Sequence, residues 1–116
     1  MAIHYIANAE DIQDGDRKIV DVEGRSIGLY RVKGEYYALH NRCPHEGAQL
    51  CKGLVCGTTM PSEVYQYEYG REGEIVRCPW HGWEFDIKTG KSLFDEKVRT
   101  RTYKVQVVDG KIGIVI

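Results

Sequence analysis

The sequence predicts an all-β protein, an antiparallel sandwich or barrel. Short apolar and β-branched segments alternate with turn residues, and no segment has the 3.6-residue period of a helix. Asp109-Gly110 separates two such segments, and both positions of this two-residue turn tolerate the positive φ of a type I′ hairpin. A chain of 116 residues is expected to form one domain.

The predicted elements follow in chain order. One helical turn is expected over Asn8–Ile12, with Asn8 as its cap. Glu23-Gly24-Arg25 and Lys33-Gly34 are turns, so the three segments around them form a meander. The predicted strands are His4–Ile6, Arg17–Val22, Ser26–Val32, Glu35–His40, Tyr103–Val108 and Lys111–Ile116.

Two short stretches carry the candidate chemistry, Cys43-Pro44-His45 and Cys78-Pro79-Trp80-His81. Each offers a thiolate and an imidazole, so together they form a metal-binding set of four ligands. A structural zinc site usually draws both cysteines from one stretch and both histidines from the other. The mixed stretches here suit a binuclear site in which one iron takes both cysteines and the other takes both histidines. Mononuclear zinc and a site without metal remain as alternatives.

The residues around these ligands resemble the Rieske 2Fe-2S family. The matching runs are CPHEGAQL from Cys43 to Leu50 and CPWHGWEFD from Cys78 to Asp86, followed by Lys88-Thr89-Gly90. The resemblance implies one Rieske cluster per chain, with Cys43, His45, Cys78 and His81 as cofactor and metal ligands. In such loops Pro44 and Pro79 restrict the backbone, while Gly47 and Gly82 allow backbone N–H groups to approach sulfur.

The same resemblance implies a Rieske fold, an antiparallel β base with an inserted cluster-binding subdomain. We expect a single Rieske domain over residues 1–116, with base strands in about 1–40 and 87–116. The cluster-binding subdomain then covers about 41–86 and includes an extended insertion at about 57–74. Tyr65, Tyr67 and Tyr69 alternate within this insertion, which indicates an added hairpin. A surface that docks one partner is the alternative.

The sequence departs from the respiratory branch of the family in ways that bear on the reduction potential. That branch has a serine and a tyrosine, both donating to sulfur, where this chain has Trp83 and Phe85. It also ties its loops with a disulfide, whose positions are Ala48 and Trp80 here. Because donors to sulfur favour the reduced state, their absence predicts a low potential, roughly −150 mV at the bottom of the Rieske range.

The expected function is one-electron transport by a Rieske-type ferredoxin, not catalysis. Its expected partners are an NAD(P)H-dependent flavin reductase and a terminal oxygenase, and the resemblance implies an oxygenase that hydroxylates aromatic rings. His4 and His40 lie on predicted strands and leave no second iron site of the oxygenase kind. The alternative is a noncatalytic subunit or redox sensor held in a larger complex.

Composition sets further expectations. The formal net charge of −1 and pI near 6.4 argue against nucleic acid as a partner. No apolar run is long enough for a membrane span, so we expect a cytoplasmic protein. We also expect a monomer. Cys51 and Cys56 are interpreted as small buried hydrophobes, with a disulfide or thiol sensor as the alternative. Lys97, Arg99 and Arg101 alternate as on one face of a strand, either solvated or binding an acidic partner.

Overall fold

The computed structural model describes residues 2–42, 49–61, 67–79, 83–93 and 97–116. Within these ranges the chain forms nine strands and two short 3₁₀ turns, Ala9–Asp11 and Leu50–Lys52. None of the described helical turns is long and apolar enough to cross a membrane. The strands are β1 Ile3–Asn8, β2 Arg17–Val22, β3 Arg25–Val32, β4 Glu35–His40, β5 Leu54–Pro61, β6 Tyr67–Arg77, β7 Glu84–Asp86, β8 Thr102–Val108 and β9 Lys111–Val115.

The all-β prediction is confirmed, and each predicted strand is present with boundaries that differ by at most two residues. The predicted helical turn is the 3₁₀ turn at Ala9–Asp11. There the Asp11 carboxylate accepts a 2.9 Å hydrogen bond from the Asn8 N–H. This bond pairs a backbone donor that the short turn leaves open.

The strands form two antiparallel sheets. The larger sheet has six strands in the order β1-β9-β8-β4-β3-β2, and the smaller has three in the order β5-β6-β7. The predicted meander is confirmed because β2, β3 and β4 are neighbours. The larger sheet is built from segments before residue 41 and after residue 101, and the smaller sheet comes from the segment between them.

Three hairpins of the larger sheet share one kind of turn. In each, a non-glycine residue and the glycine after it both have positive φ, as type I′ geometry requires. The type I′ prediction for Asp109-Gly110 is therefore confirmed. The three residue pairs are Glu23-Gly24, Lys33-Gly34 and Asp109-Gly110.

Strand β3 is buried on both faces and separates two apolar cores. Ile27 and Leu29 face the core inside the larger sheet, whereas Tyr30 and Val32 face the second core. Successive side chains of a strand point to opposite faces, so one strand contributes to both cores. The second core joins the sheets and contains Tyr30, Val32, Leu39, Leu50, Cys51, Val76, Cys78, Phe85 and Ile87.

The segment between the predicted ligand stretches contains the hairpin that the sequence predicts. Strands β5 and β6 pair from Leu54↔Arg77 to Pro61↔Tyr67, with an irregularity between Cys56 and Thr58. Tyr67 and Tyr69 lie on β6, while Tyr65 lies outside the described residues. The alternative, that this hairpin docks a partner, stays a prediction.

Candidate metal centre

Of the predicted ligands, Cys78 is the one within the described residues; Cys43, His45 and His81 lie outside them. Cys78 directly follows β6 and is buried, with 1% of its surface exposed. Pro79 is exposed, so the chain leaves the core for the surface at this point. The described residues alone contain no group of three or more metal-ligating side chains.

A backbone hydrogen bond closes the second ligand stretch. The N–H of Cys78 donates to the carbonyl oxygen of Trp83 at 2.7 Å, which fixes both ends of residues 79–82. Trp83 is half-buried and packs against the second core. Trp80 lies outside the described residues.

Asn41 holds the two ends of the first ligand stretch together. Its side-chain oxygen accepts a 2.7 Å hydrogen bond from the buried N–H of Cys51, ten residues later. Its side-chain nitrogen donates to Ser26 Oγ at 3.0 Å, and its backbone N–H donates to the Ser26 carbonyl at 2.9 Å. Asn41 is therefore a fixed point two residues before Cys43.

Thr100 supports the same end of this stretch from the other half of the chain. Its hydroxyl lies 3.2 Å from the carbonyl oxygen of His40 and 3.1 Å from that of Arg42. The N–H of His40 also donates to the carbonyl of Arg101 at 2.8 Å. Residues 40–42 are thus held from both sides before the chain reaches Cys43.

The flanks of the two ligand stretches meet at Gly53 and Arg77. A Cβ at Gly53 would overlap the carbonyl oxygen of Arg77, the residue before Cys78. Only glycine allows two backbones to lie so close. The Arg17 guanidinium donates to the carbonyls of Gly53 and Lys52, which ties the junction to β2 of the larger sheet.

Cys51 and Cys56 are buried, and they form no disulfide with each other or with Cys78. Burial raises the pKa of the Cys51 thiol, which keeps it protonated and unreactive. Its sulfur lies 3.7 Å from the Leu39 carbonyl oxygen. The interpretation of both residues as small buried hydrophobes is confirmed for the described part of the chain.

Tyr30 lies beside the Cys51 thiol in the same core. Burial is the main cause that raises the pKa of Tyr30, and the nearby Cys51 thiol is the second. Its hydroxyl has no partner with hydrogen-bond geometry among the described residues, although the thiol is close enough to affect this pKa. The backbone of Gly28 lies against both side chains.

His40 lies at the end of β4, surrounded by arginine. Burial, and then the charges of Arg101, Arg42 and Arg25, lower the pKa of His40 below its ordinary value of 6.5. The imidazole Nδ1 lies 3.4 Å from the hydroxyl of Tyr103. This histidine is a neutral packing residue at neutral pH.

The prediction of a basic stripe on one strand is only partly right. Lys97, Arg99 and Arg101 are exposed and alternate with the less exposed Val98 and Thr100. They do not share a regular strand, because Arg99 forms an isolated bridge with Lys91, and Arg101 precedes β8. The carbonyl oxygen of Gly90 accepts a 2.9 Å hydrogen bond from the Thr100 N–H, and the Gly90 Cα lies against the Thr100 carbonyl oxygen.

Cys78 is buried, and hydrogen bonds hold the residues that flank both ligand stretches. These observations agree with a metal centre at the junction of the two sheets. A comparison with protein-family models matches the Rieske [2Fe-2S] domain over residues 2–104. The chain belongs to the Rieske [2Fe-2S] domain family. The resemblance stated from the ligand runs is confirmed.

Relatives of this Rieske domain include oxygenase ferredoxins. It is 33% identical over 104 residues to the ferredoxin component of naphthalene 1,2-dioxygenase/salicylate 5-hydroxylase systems from Ralstonia, covering 89% of this chain and 85% of the relative. It is 31% identical over 111 residues to the ferredoxin subunit of 3-phenylpropionate/cinnamic acid dioxygenase from Escherichia coli, covering 95% and 90%.

Solved structures support the Rieske fold. The ferredoxin of carbazole 1,9a-dioxygenase from Nocardioides aromaticivorans superposes with a TM-score of 0.77 at 22% identity, covering 99% of this chain and 98% of that one. A chain from a complex of reduced oxygenase and oxidized ferredoxin in carbazole 1,9a-dioxygenase also has a TM-score of 0.77, at 24% identity, covering 97% of this chain and 92% of that one.

The described residues fit a Rieske cluster. Cys78 is buried beside the exposed Pro79, and Leu39, Leu50 and Cys51, which lie on either side of the first ligand stretch in the sequence, belong to the same core as Cys78. The support residues Asn41, Thr100, Arg17 and Gly53 are not apparent from the sequence pattern. Their contacts span 10 to 60 positions along the chain, and no local motif marks them.

Proposed function

We propose that this chain is a one-electron carrier of the Rieske ferredoxin type, which passes electrons from an NAD(P)H-dependent flavin reductase to a terminal oxygenase. The relatives named as ferredoxin components of dioxygenase systems support the oxygenase as recipient. Aromatic-ring hydroxylation is the class of oxygenase that these names favour. The flavin reductase is proposed because such a carrier needs an electron donor.

Cys43 and Cys78 are proposed to bind one iron, and His45 and His81 the other. When bound, the cluster accepts and releases one electron, and neutral imidazole ligands raise its potential above that of all-cysteine clusters. The observation that supports this assignment is Cys78, buried next to the exposed Pro79 with its N–H bonded to the carbonyl oxygen of Trp83. A buried thiolate excludes water from the inner side of the site.

The chain's own contacts prepare the site. Asn41 and Thr100 hold residues 40–42, and the Cys78–Trp83 hydrogen bond holds residues 79–82. These contacts reduce the conformational entropy lost when the ligands converge. We propose one Rieske domain, with the six-stranded sheet as the base and residues 41–86 as the cluster-binding subdomain with its insertion at 57–74.

The cysteine chemistry favours a reducing compartment, and we propose the cytoplasm. The described cysteines form no disulfide, although Cys51 and Cys78 lie in one core. Nothing in the described ranges indicates a second copy, so a monomer is proposed.

The ligand assignment is tested by EPR of the dithionite-reduced protein with iron and sulfide analysis. We expect equal iron and sulfide and the low average g value of histidine ligation. His45→Ala and His81→Ala should each abolish this spectrum, whereas His4→Ala, at a half-buried position of β1 in the larger sheet, should preserve it. One zinc without sulfide, or an unchanged spectrum in either ligand variant, would refute the assignment.

Electron delivery is tested by stopped-flow mixing of the reduced protein with a purified naphthalene-dioxygenase-type terminal oxygenase. Oxidation of the carrier should be matched by reduction of the oxygenase, one electron for one electron. A carrier that retains its cluster and transfers no electron to any such oxygenase would contradict the proposed function.

Gel filtration of a cell extract, monitored by the absorbance of the cluster, distinguishes a free carrier from a subunit of a larger complex.

A further inference from the structure

Five cationic side chains from separate segments come together beside the first ligand stretch. Four are exposed, and the fifth, Arg25, is half-buried. The sequence pattern indicated only the segment from residue 97 to 101. We call the following residues the arginine face: Arg25, Arg42, Lys91, Arg99 and Arg101.

Backbone contacts bring these segments together. Thr100 binds the carbonyl oxygens of His40 and Arg42, which places Arg99 and Arg101 against the end of β4. The β-bridge between Lys91 and Arg99 places those two residues directly opposite each other. The Asn41 N–H bonds to the Ser26 carbonyl at 2.9 Å and brings the start of β3, with Arg25, to the same place.

The charges of the arginine face are not neutralised by the described part of the chain. None of its five members forms an ion pair with a carboxylate in the described ranges. Arg101 lies 5.0 Å above the Tyr103 ring, a contact that leaves its charge in place. Nη1 of Arg25 is enclosed and has no partner among the described residues.

His40 provides a second sign of a positive local field. After burial, the charges that lower the pKa of His40 come from Arg101, Arg42 and Arg25. Tyr103 is the other titratable group that contacts this imidazole. Since the whole chain has a net charge of −1, the positive charge is a local concentration and not a general property.

The arginine face includes a groove suited to acidic side chains. The groove has a volume of about 470 Å³ and is lined by Arg99, Arg101 and three threonines, Thr89, Thr100 and Thr102. Guanidinium groups bind carboxylates through paired hydrogen bonds. The hydroxyls of Thr89 and Thr102 can donate to them as well, whereas the Thr100 hydroxyl already donates to backbone carbonyls. An aspartate or glutamate side chain from another protein matches this lining in charge and in donors.

The arginine face also lies beside the proposed electron-transfer site. Arg42 directly precedes Cys43, so their Cα atoms are about 3.8 Å apart. A protein that covers Arg42 therefore lies next to the first ligand stretch. Charge complementarity of this kind raises association rates and orients short-lived complexes.

We propose that the arginine face is the docking surface for an acidic patch on the protein that exchanges electrons with this carrier. The proposal rests on the proposed function, since it gives the carrier a place to hold its partner. Aspartate and glutamate side chains of the partner would lie over the groove between Arg99 and Arg101. The complex would be short-lived and weakened by salt, because exposed charges are screened.

The test uses Arg99→Gln/Arg101→Gln on the full chain, with Lys18→Gln/Lys111→Gln as the matched control. Both double variants remove two exposed positive charges, but Lys18 and Lys111 lie on β2 and β9, away from the groove. Poly-L-glutamate serves as the probe, and its binding is measured by calorimetry at low salt. We expect roughly three- to tenfold weaker binding for the arginine variant and little change for the control.

Kinetics place the surface relative to the electron-transfer site. The reduced protein gives one electron either to the anion ferricyanide, forming ferrocyanide, or to the cation cobalt(III) tris-phenanthroline, forming cobalt(II). The arginine variant should react more slowly with ferricyanide and faster with the cobalt complex than the control does. Poly-L-glutamate should slow ferricyanide oxidation of the unsubstituted protein more than that of the arginine variant.

Equal poly-L-glutamate binding by the two double variants would overturn the proposal. So would equal changes in their rates with both oxidants. Loss of the cluster spectrum in the unsubstituted protein would instead refute the proposed function, and calorimetry would still test the docking surface because it requires no electron transfer. A circular dichroism spectrum of each variant confirms that it is folded.

Discussion

The side-chain oxygen of Asn41 accepts a 2.7 Å hydrogen bond from the backbone N–H of Cys51. This contact joins the two flanks of the segment that carries Cys43 and His45, the proposed ligands from the first stretch. It lies in a buried region, where an unpaired N–H is costly. The protein scaffold therefore sets the ends of this segment independently of any metal.

Asn41→Ala should lower both stability and cluster retention. The substitution leaves the buried Cys51 N–H unpaired, at a cost of about 1–3 kcal/mol. Denaturant unfolding followed by circular dichroism measures the stability, and iron content measures retention. Ser26→Ala is the control, because it removes only the partner of the Asn41 amide nitrogen, at about 0.5–1.5 kcal/mol. Equal losses in the two variants would show that the Cys51 contact contributes little.

Gly28→Ala should destabilise the second core. An added Cβ would overlap the sulfur of Cys51 and lie 2.6 Å from its Cβ, so the core must shift at a cost of about 1–3 kcal/mol. Removing the sulfur with Cys51→Ala relieves part of this overlap. We therefore expect the loss caused by Gly28→Ala to be at least about 0.5 kcal/mol smaller in the Cys51→Ala background. Additive losses in thermal unfolding would contradict the proposed contact.

His40 should make stability fall in mildly acidic solution. Its pKa in the folded state is lowered by burial and by the charges of Arg101, Arg42 and Arg25. As the pH falls below the ordinary value of 6.5, the unfolded chain takes up this proton before the folded chain does, so the free energy of unfolding decreases. Above that pH both states are neutral at His40 and the contribution is constant.

His40→Gln measures this pH effect. The free energy of unfolding of the variant should fall less between pH 7.5 and pH 5 than that of the unsubstituted protein. Denaturant titrations at several pH values provide the comparison. Parallel curves for the two proteins would exclude His40 as the cause.

Phe85→Tyr should raise the reduction potential. Phe85 is fully buried in the core that contains Cys78, and the respiratory branch resembled by this chain has a tyrosine donor at the matching position. A new hydrogen bond to sulfur worth about 0.5–1.5 kcal/mol corresponds to roughly 20–65 mV for one electron. Redox titration followed by absorbance or EPR measures the midpoint.

Tyr37→Phe is the control for this experiment. The Tyr37 ring packs at the edge of the same core, but its hydroxyl donates to the exposed Glu35 at 2.7 Å, so its removal should leave the midpoint unchanged. The unsubstituted protein should have a midpoint near the low end of the Rieske range, roughly −150 mV. A midpoint above zero in the unsubstituted protein would refute the low-potential prediction. An equal midpoint in Phe85→Tyr and the unsubstituted protein would show that the new hydroxyl does not bond to sulfur.

The sequence is most informative where the physics is local. Alternation of apolar residues and the turn residues between them predict each strand of the larger sheet, because a strand's two-residue period and a type I′ turn depend on neighbouring residues. The hairpin of β5 and β6 was also predictable, although its register was not. Register depends on which residues meet across the pair, and the tyrosine pattern does not specify this.

By itself, the sequence determined the all-β class, the six strands of the larger sheet and the candidate ligands Cys43, His45, Cys78 and His81, since each follows from residues close together in the chain. Only the tertiary structure decided which residues support the site. Asn41 meets Cys51, Thr100 meets His40, and Arg17 meets Gly53 across 10, 60 and 36 positions. Such contacts depend on how two sheets pack on one core, and sequence spacing carries no record of that packing.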